Sequence, residues 1–169
     1  MKYEPRYPSD PGHPEYDQYM SLRGMVDRMH GENGIDIHSG DISHRATAAV
    51  LRAYRGEAIR DNASLDPDQR IDGIVLSRGN GHHPEVGGRY AILYQGDPDS
   101  PTVRTLAVPT DQLTIAAEKN FEELERINQQ REQQFAQFRD RDQIQRDQTQ
   151  IAARTEDQEQ MNRGSRSLL

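Results

Sequence analysis

The chain contains no cysteine and no tryptophan among its 169 residues. Without cysteine it has no disulfide, no thiolate metal ligand and no cysteine nucleophile. Long apolar runs are also missing, since no stretch approaches the about twenty residues that cross a bilayer. Residues 1–14 are polar and rich in proline, unlike a cleavable secretory signal. The sequence therefore predicts a protein made in the cytoplasm, with no membrane insertion.

Apolar residues are scarce throughout: 33% of the chain is hydrophobic and 29% is charged. The length suits one domain, but this composition is poor for a chain that is packed from end to end. The formal net charge of -7 opposes contact with a phosphate backbone. We expect part of the chain to lie outside any core, and we expect no nucleic acid partner.

The first third of the chain predicts a leader and two helices. Prolines at positions 5, 8, 11 and 14 predict an extended, mobile leader over residues 1–12. Pro14 suits the first turn of a helix that runs to about His30. A second helix is predicted from Asp41 or Ser43 to Ile59. Apolar residues at helical spacing predict its inward face: Ile42, Ala46, Ala49, Val50, Ala53 and Tyr54.

The middle of the chain predicts three sequential strands, at Ile71–Ser77, Arg89–Gln95 and Thr102–Val108. A glycine-rich loop separates the first two strands, and a short turn separates the last two. A final helix is predicted to begin at Thr110 or Asp111. Its inward residues are predicted to be Leu113, Ala116, Ala117, Phe121, Leu124 and Ile127. The predicted class is α+β, with a small three-stranded antiparallel sheet and about three helices in a domain over residues 13–128.

Residues 129–169 form a glutamine-rich tail with few large apolar side chains. Glutamine, arginine and glutamate favour helix, but the tail lacks apolar surface with which to dock. The prediction is therefore a fraying helix or a disordered segment that orders on a partner. Its apolar positions recur too sparsely for a sustained coiled-coil seam.

Candidate catalytic and metal-binding residues form no recognisable constellation. His38 and His44, with Asp36 and Asp41, are suitable zinc ligands by type, although surface residues at a helix start have the same composition. His82 and His83 lie in the glycine-rich loop, where solvent exposure is the simpler interpretation. The sequence therefore predicts no cofactor, no metal and no catalytic site. Asp72 lies within an apolar strand, so it is either exposed or paired.

Three stretches carry a more specific signal. Asp10–Tyr19 reads DPGHPEYDQY, Arg70–Ser77 reads RIDGIVLS and Tyr90–Pro98 reads YAILYQGDP. They resemble the DP-x-HP opening, the RIDHVVLS strand and the strand with a QG turn in one family. That family is the C-terminal recognition domain (XVIPCD) of antibacterial type IV secretion effectors from xanthomonads and relatives. This chain departs from the pattern at Gly73, where the family usually has histidine, and in the long glycine-rich loop.

The resemblance implies a translocation signal, bound by the all-α domain of the coupling ATPase that feeds the secretion channel. The chain is then cytoplasmic in the producing cell and is delivered through the type IV system into a rival bacterium, and the glutamine-rich tail belongs to the signal. A cognate immunity protein or a toxin is a further partner that the family suggests. Partner contacts are expected among the motif positions and the start of the tail: Ile71, Asp72, Gly73, Ile74, Gln95, Gly96, Gln129, Gln130, Gln133 and Gln134.

Two other functions stay open. One is a small toxin enzyme, such as a hydrolase that uses His82, His83 and an acid. The other is an adaptor that carries a separate toxin through its tail. The recognition module is favoured over the enzyme, because no nucleophile, base or metal site has a recognisable sequence frame.

Overall fold

The computed structural model describes residues 4–36, 40–79, 81–82 and 87–167, with backbone alone for 165–167. Its elements are α1 (Tyr16–Glu32), α2 (Asp41–Gly56), a 3₁₀ turn (Glu57–Ile59), β1 (Gly73–Leu76), β2 (Tyr90–Gln95), β3 (Arg104–Pro109), a second 3₁₀ turn (Thr110–Thr114) and α3 (Ala117–Ser167). The predicted α+β class is confirmed, with an antiparallel sheet of three strands and the predicted order of helices and strands. No helix of the described residues is long and apolar enough to span a membrane.

The sheet has the order β1-β2-β3, so the second strand is central. Side chains of a strand alternate between its two faces, and Ala91, Leu93 and Gln95 of β2 all face the core. The first strand is not covered on both faces, since Val75 has an exposed fraction of 41%. The cause is position: β1 lies at the sheet edge, where fewer neighbours cover a side chain.

The core lies between the sheet and the first two helices. Leu22, Val26 and Met29 form one buried stripe of α1, as the spacing predicts. On α2 the alanines are small enough to let a neighbouring helix approach closely, and Ala49 is buried. Ile42 was predicted to face inward, but it is exposed at 38%, because the buried stripe of α2 begins one residue later.

The start of α3 differs from the prediction. Thr110 and Asp111 do not cap it; they begin a 3₁₀ turn that ends where Ile115 adopts an extended backbone with ψ of 143°. This extended residue delays the helix, so Ala116 lies outside it and is exposed, contrary to expectation. Other predicted inward residues are buried: Leu113, Ala117, Phe121, Leu124 and Ile127.

The N-terminal segment also differs from the extended leader that its prolines predicted. Turns occupy residues 7–12, where Asp10 Oδ2 accepts the backbone N–H groups of Arg6 and Tyr7 at 3.0 and 2.8 Å. The Tyr7 ring stacks on Phe121 with centroids 5.5 Å apart. Aromatic stacking therefore holds the leader against the core, and α1 begins two residues after Pro14.

The chain divides into two compact units between Gln129 and Gln130. In the second unit the tail is helical, and its side chains interact with residues one helical turn away. Asp142 and Arg146 form an ion pair at 2.8 Å, and the Arg139 guanidinium lies 5.0 Å from the Phe135 ring centroid. The large apolar side chains that the structure describes in this unit are all more than half exposed: Phe135, Phe138, Ile144, Ile151 and Met161.

Candidate partner-binding surface

The RIDG and QG stretches meet at one end of the sheet. Because β1 and β2 are antiparallel, Gly73 lies opposite Tyr94, and the Asp72 N–H donates to the Tyr94 carbonyl at 2.9 Å. The Asp72 carboxylate then accepts the Gly96 N–H at 2.7 Å. Arg70 Nε lies 3.3 Å from the other carboxylate oxygen. We call the exposed residues Arg70, Asp72 and Gly96 the strand corner.

The geometry of the strand corner depends on glycine at the turn. Gly96 has a φ of +97°, which side-chain-bearing residues rarely adopt. In this conformation its N–H is hydrogen-bonded to the carboxylate of Asp72. Asp72 is thus exposed and paired at the same time, and Arg70 beside it is 89% exposed. The corner therefore presents to solvent a carboxylate held by the Gly96 N–H and an exposed guanidinium paired with it.

Gln95, a predicted contact residue, is buried at 3% exposure and bonds internally. Its Nε2 donates to the carbonyls of Asp66 and Gln69 at 2.8 and 2.9 Å, and its Oε1 accepts the Asp66 N–H at 2.8 Å. The Tyr54 hydroxyl donates to the same Gln69 carbonyl. Gln95 therefore holds the loop before Arg70 in place behind the strand corner.

The three apolar motif positions also serve packing. Ile71 and Ile74 are 2% and 5% exposed and belong to the core. A Cβ added at Gly73 would overlap the ring of Tyr94. A side chain therefore does not fit at this position unless the Tyr94 ring moves.

The predicted tail contacts are all exposed on α3: Gln129, Gln130, Gln133 and Gln134. Phe135 and Phe138 follow them, and we call these two the phenylalanine patch. At about 100° per residue, Ile144 and Ile151 fall on the opposite side of the helix from the phenylalanine patch. The tail has separate apolar patches instead of one continuous seam.

The structure describes one histidine of each hypothetical site, His44 of the zinc hypothesis and His82 of the enzyme hypothesis. His38 and His83 lie outside the described residues, within which no group of three or more His, Asp or Glu is placed to hold a metal. His44 Nδ1 lies 2.6 Å from the Tyr19 hydroxyl, and its ring packs edge-on against Phe121. His30 is buried beside Ser43, and burial lowers its pKa. Both residues serve the core.

Two buried acids escaped prediction from the sequence. Glu15 binds Arg55 through two hydrogen bonds, of 2.8 and 3.0 Å, across 40 residues of chain. Glu57 is 1% exposed; one oxygen accepts the Ser64 and Leu65 N–H groups and the other pairs with Arg60. The position of Glu57 at the end of the buried stripe of α2 was the available signal, since a helix continuing through it would bury that side chain.

No family model matches the chain, and no curated protein matches it.

Proposed function

We propose that this chain is the recognition module of a type IV secretion effector, bound by the all-α domain of a coupling ATPase for delivery into rival bacteria. The observation that carries the proposal is the strand corner. Two stretches that resemble the family's motifs, more than twenty residues apart in the sequence, meet there through the bond between Asp72 and Gly96.

The strand corner has the physical character of a recognition site. Asp72 is held by the Gly96 N–H and by the sheet, so binding costs it little side-chain entropy. Behind it, the Gln95 side chain donates two hydrogen bonds to the adjoining loop and accepts one from it, which fixes that loop. A partner with a complementary positive group gains a preorganised carboxylate without having to order this loop.

The tail supplies a second and different kind of contact. Its phenylalanine patch exposes Phe135 at 61% and Phe138 at 68%. A helix with an exposed apolar patch suits a groove between the helices of an all-α partner. Two modest sites on one chain give a joint affinity above that of either alone, and each releases readily. Two separate contacts of modest affinity suit a protein that its partner must release into the secretion channel.

The binding test uses isothermal titration of the full chain with the isolated all-α domain. Asp72→Ala removes the corner carboxylate and frees the turn, and we expect about five- to tenfold weaker binding. Asp61→Ala, an exposed aspartate in another loop, is the matched control and should bind like the parent chain. Circular dichroism establishes that both variants are folded. Equal affinity of the two variants would remove the strand corner from the interface.

A further inference from the structure

A cavity of about 300 Å³ lies between the third strand and the C-terminal half of α2, away from the strand corner. Its apolar wall includes Ala53, Val108 and Ile127. Four consecutive residues of the chain, from Leu106 to Pro109, line it. Consecutive strand residues point their side chains to opposite faces. Since all four of these residues line the cavity, the cavity lies along the backbone edge of β3 and not on one face of the sheet.

Within the described part of the chain, the edge of β3 that borders this cavity has no neighbouring strand. Among the described residues β3 pairs with β2 alone, and the Thr110 N–H donates to the Arg89 carbonyl at 2.8 Å. Backbone groups of successive residues point alternately to the two sides of a strand. With this register, Thr105, Ala107 and Pro109 direct theirs away from β2. Pro109 has no N–H, so it ends the row of donors at Ala107.

The charge beside this edge is positive. Arg52 lines the cavity half-buried and forms no ion pair among the described residues. Arg60 lines it too and is 56% exposed, and its guanidinium pairs with the Oε1 of Glu57 at 2.9 Å. Arg104 is exposed at the start of the strand. An acidic occupant is therefore favoured, whereas a second copy paired edge to edge would bring its own Arg104 to this positive edge.

We propose that an extended acidic segment of another protein adds to the sheet as a fourth strand beside β3. Its backbone pairs with Thr105 and Ala107, an apolar side chain enters the cavity, and an acidic side chain reaches Arg52. Backbone pairing supplies affinity, and the alternate side chains supply specificity. This surface is separate from the strand corner, so the inference does not depend on the proposed function.

The test is an NMR titration of the full chain with a synthetic heptapeptide. The peptide has glutamate, valine and glutamate at its second, fourth and sixth positions and threonine elsewhere. We expect the amide signals of Thr105 and Ala107 to shift and their hydrogen exchange to slow. Replacing both glutamates by lysine should weaken binding by about tenfold or more. No shift at these amides, or equal binding of the lysine peptide, would overturn the proposal.

Two controls separate strand pairing from charge attraction. N-methylation of the odd or of the even peptide amides gives two isomers, and a paired strand uses one set, so one isomer alone should lose binding. Equal affinity of the isomers would overturn the added strand. Arg52→Glu should weaken binding by about tenfold, while Arg28→Glu on the exposed side of α1 should not. Equal effects of these two substitutions would overturn the role of Arg52.

Discussion

The two units of this chain use similar side chains in opposite ways. In the first unit, buried polar side chains connect separate segments of the chain. Glu57 and Gln95 are 1% and 3% exposed, and both hydrogen-bond to backbone groups of loops. In the second, even the phenylalanines are exposed, and polar groups bond to neighbours four residues away. The spacing of apolar residues explains why the two units differ in the burial of their polar side chains. A polar side chain is buried only where apolar residues already form a buried stripe beside it.

The largest effect on stability is expected from a substitution that creates a cavity at the central strand. Leu93 of β2 is fully buried, so Leu93→Ala should lower the free energy of unfolding by about 2–5 kcal/mol. Urea unfolding followed by circular dichroism measures the change. Leu76 is half-buried in the edge strand β1, so Leu76→Ala should lower the free energy of unfolding by less. Equal losses at the two leucines would contradict this assignment of centre and edge.

Removal of a buried hydrogen-bonding side chain should have the next largest effect on stability. Glu57→Ala leaves the Ser64 and Leu65 N–H groups without their acceptor, which we expect to cost about 1–3 kcal/mol. Glu132→Ala, at an exposed site of the second unit, should change stability by about 0.5 kcal/mol or less. Thermal unfolding of both variants checks the pair. A neutral Glu57→Ala would show that the loop after Ile59 does not depend on this carboxylate.

Stability should also depend on pH through His30. Burial lowers its pKa below the ordinary value of 6.5, so below that pH the unfolded chain binds more protons than the folded chain. The free energy of unfolding should therefore fall as the pH is lowered from about 7 to about 5, and His30→Gln should reduce that slope. His82→Gln, in an exposed loop, is the control. An unchanged slope in His30→Gln would rule out this histidine as the source.

The smallest effect is expected in the tail. Phe138→Ala removes a side chain that is 68% exposed, so the free energy of unfolding should change by about 0.5 kcal/mol or less. Differential scanning calorimetry compares it with Phe121→Ala, where the same truncation creates a buried cavity. A cooperative loss of the fold in Phe138→Ala would show that the tail is docked.

Sequence periodicity predicted the fold well where one residue type repeats on one face. The buried stripe of Leu22, Val26 and Met29 and the three strands follow from spacing alone. Residues whose roles depend on distant partners could not be predicted this way. Gln95 has the composition of a surface residue, and only the fold brings it to Gln69. The meeting of Asp72 and Gly96 likewise required the strand register.

We propose that the strand corner and the glutamine-rich tail act as two halves of one signal. Hydrogen–deuterium exchange of the full chain, with and without the isolated all-α domain of a coupling ATPase, distinguishes two contact regions from one. We expect slower exchange in residues 70–74, in Gln95 and Gly96, and in the tail from Gln129 through Phe138. Protection confined to one of these regions, or to neither, would contradict the two-part signal.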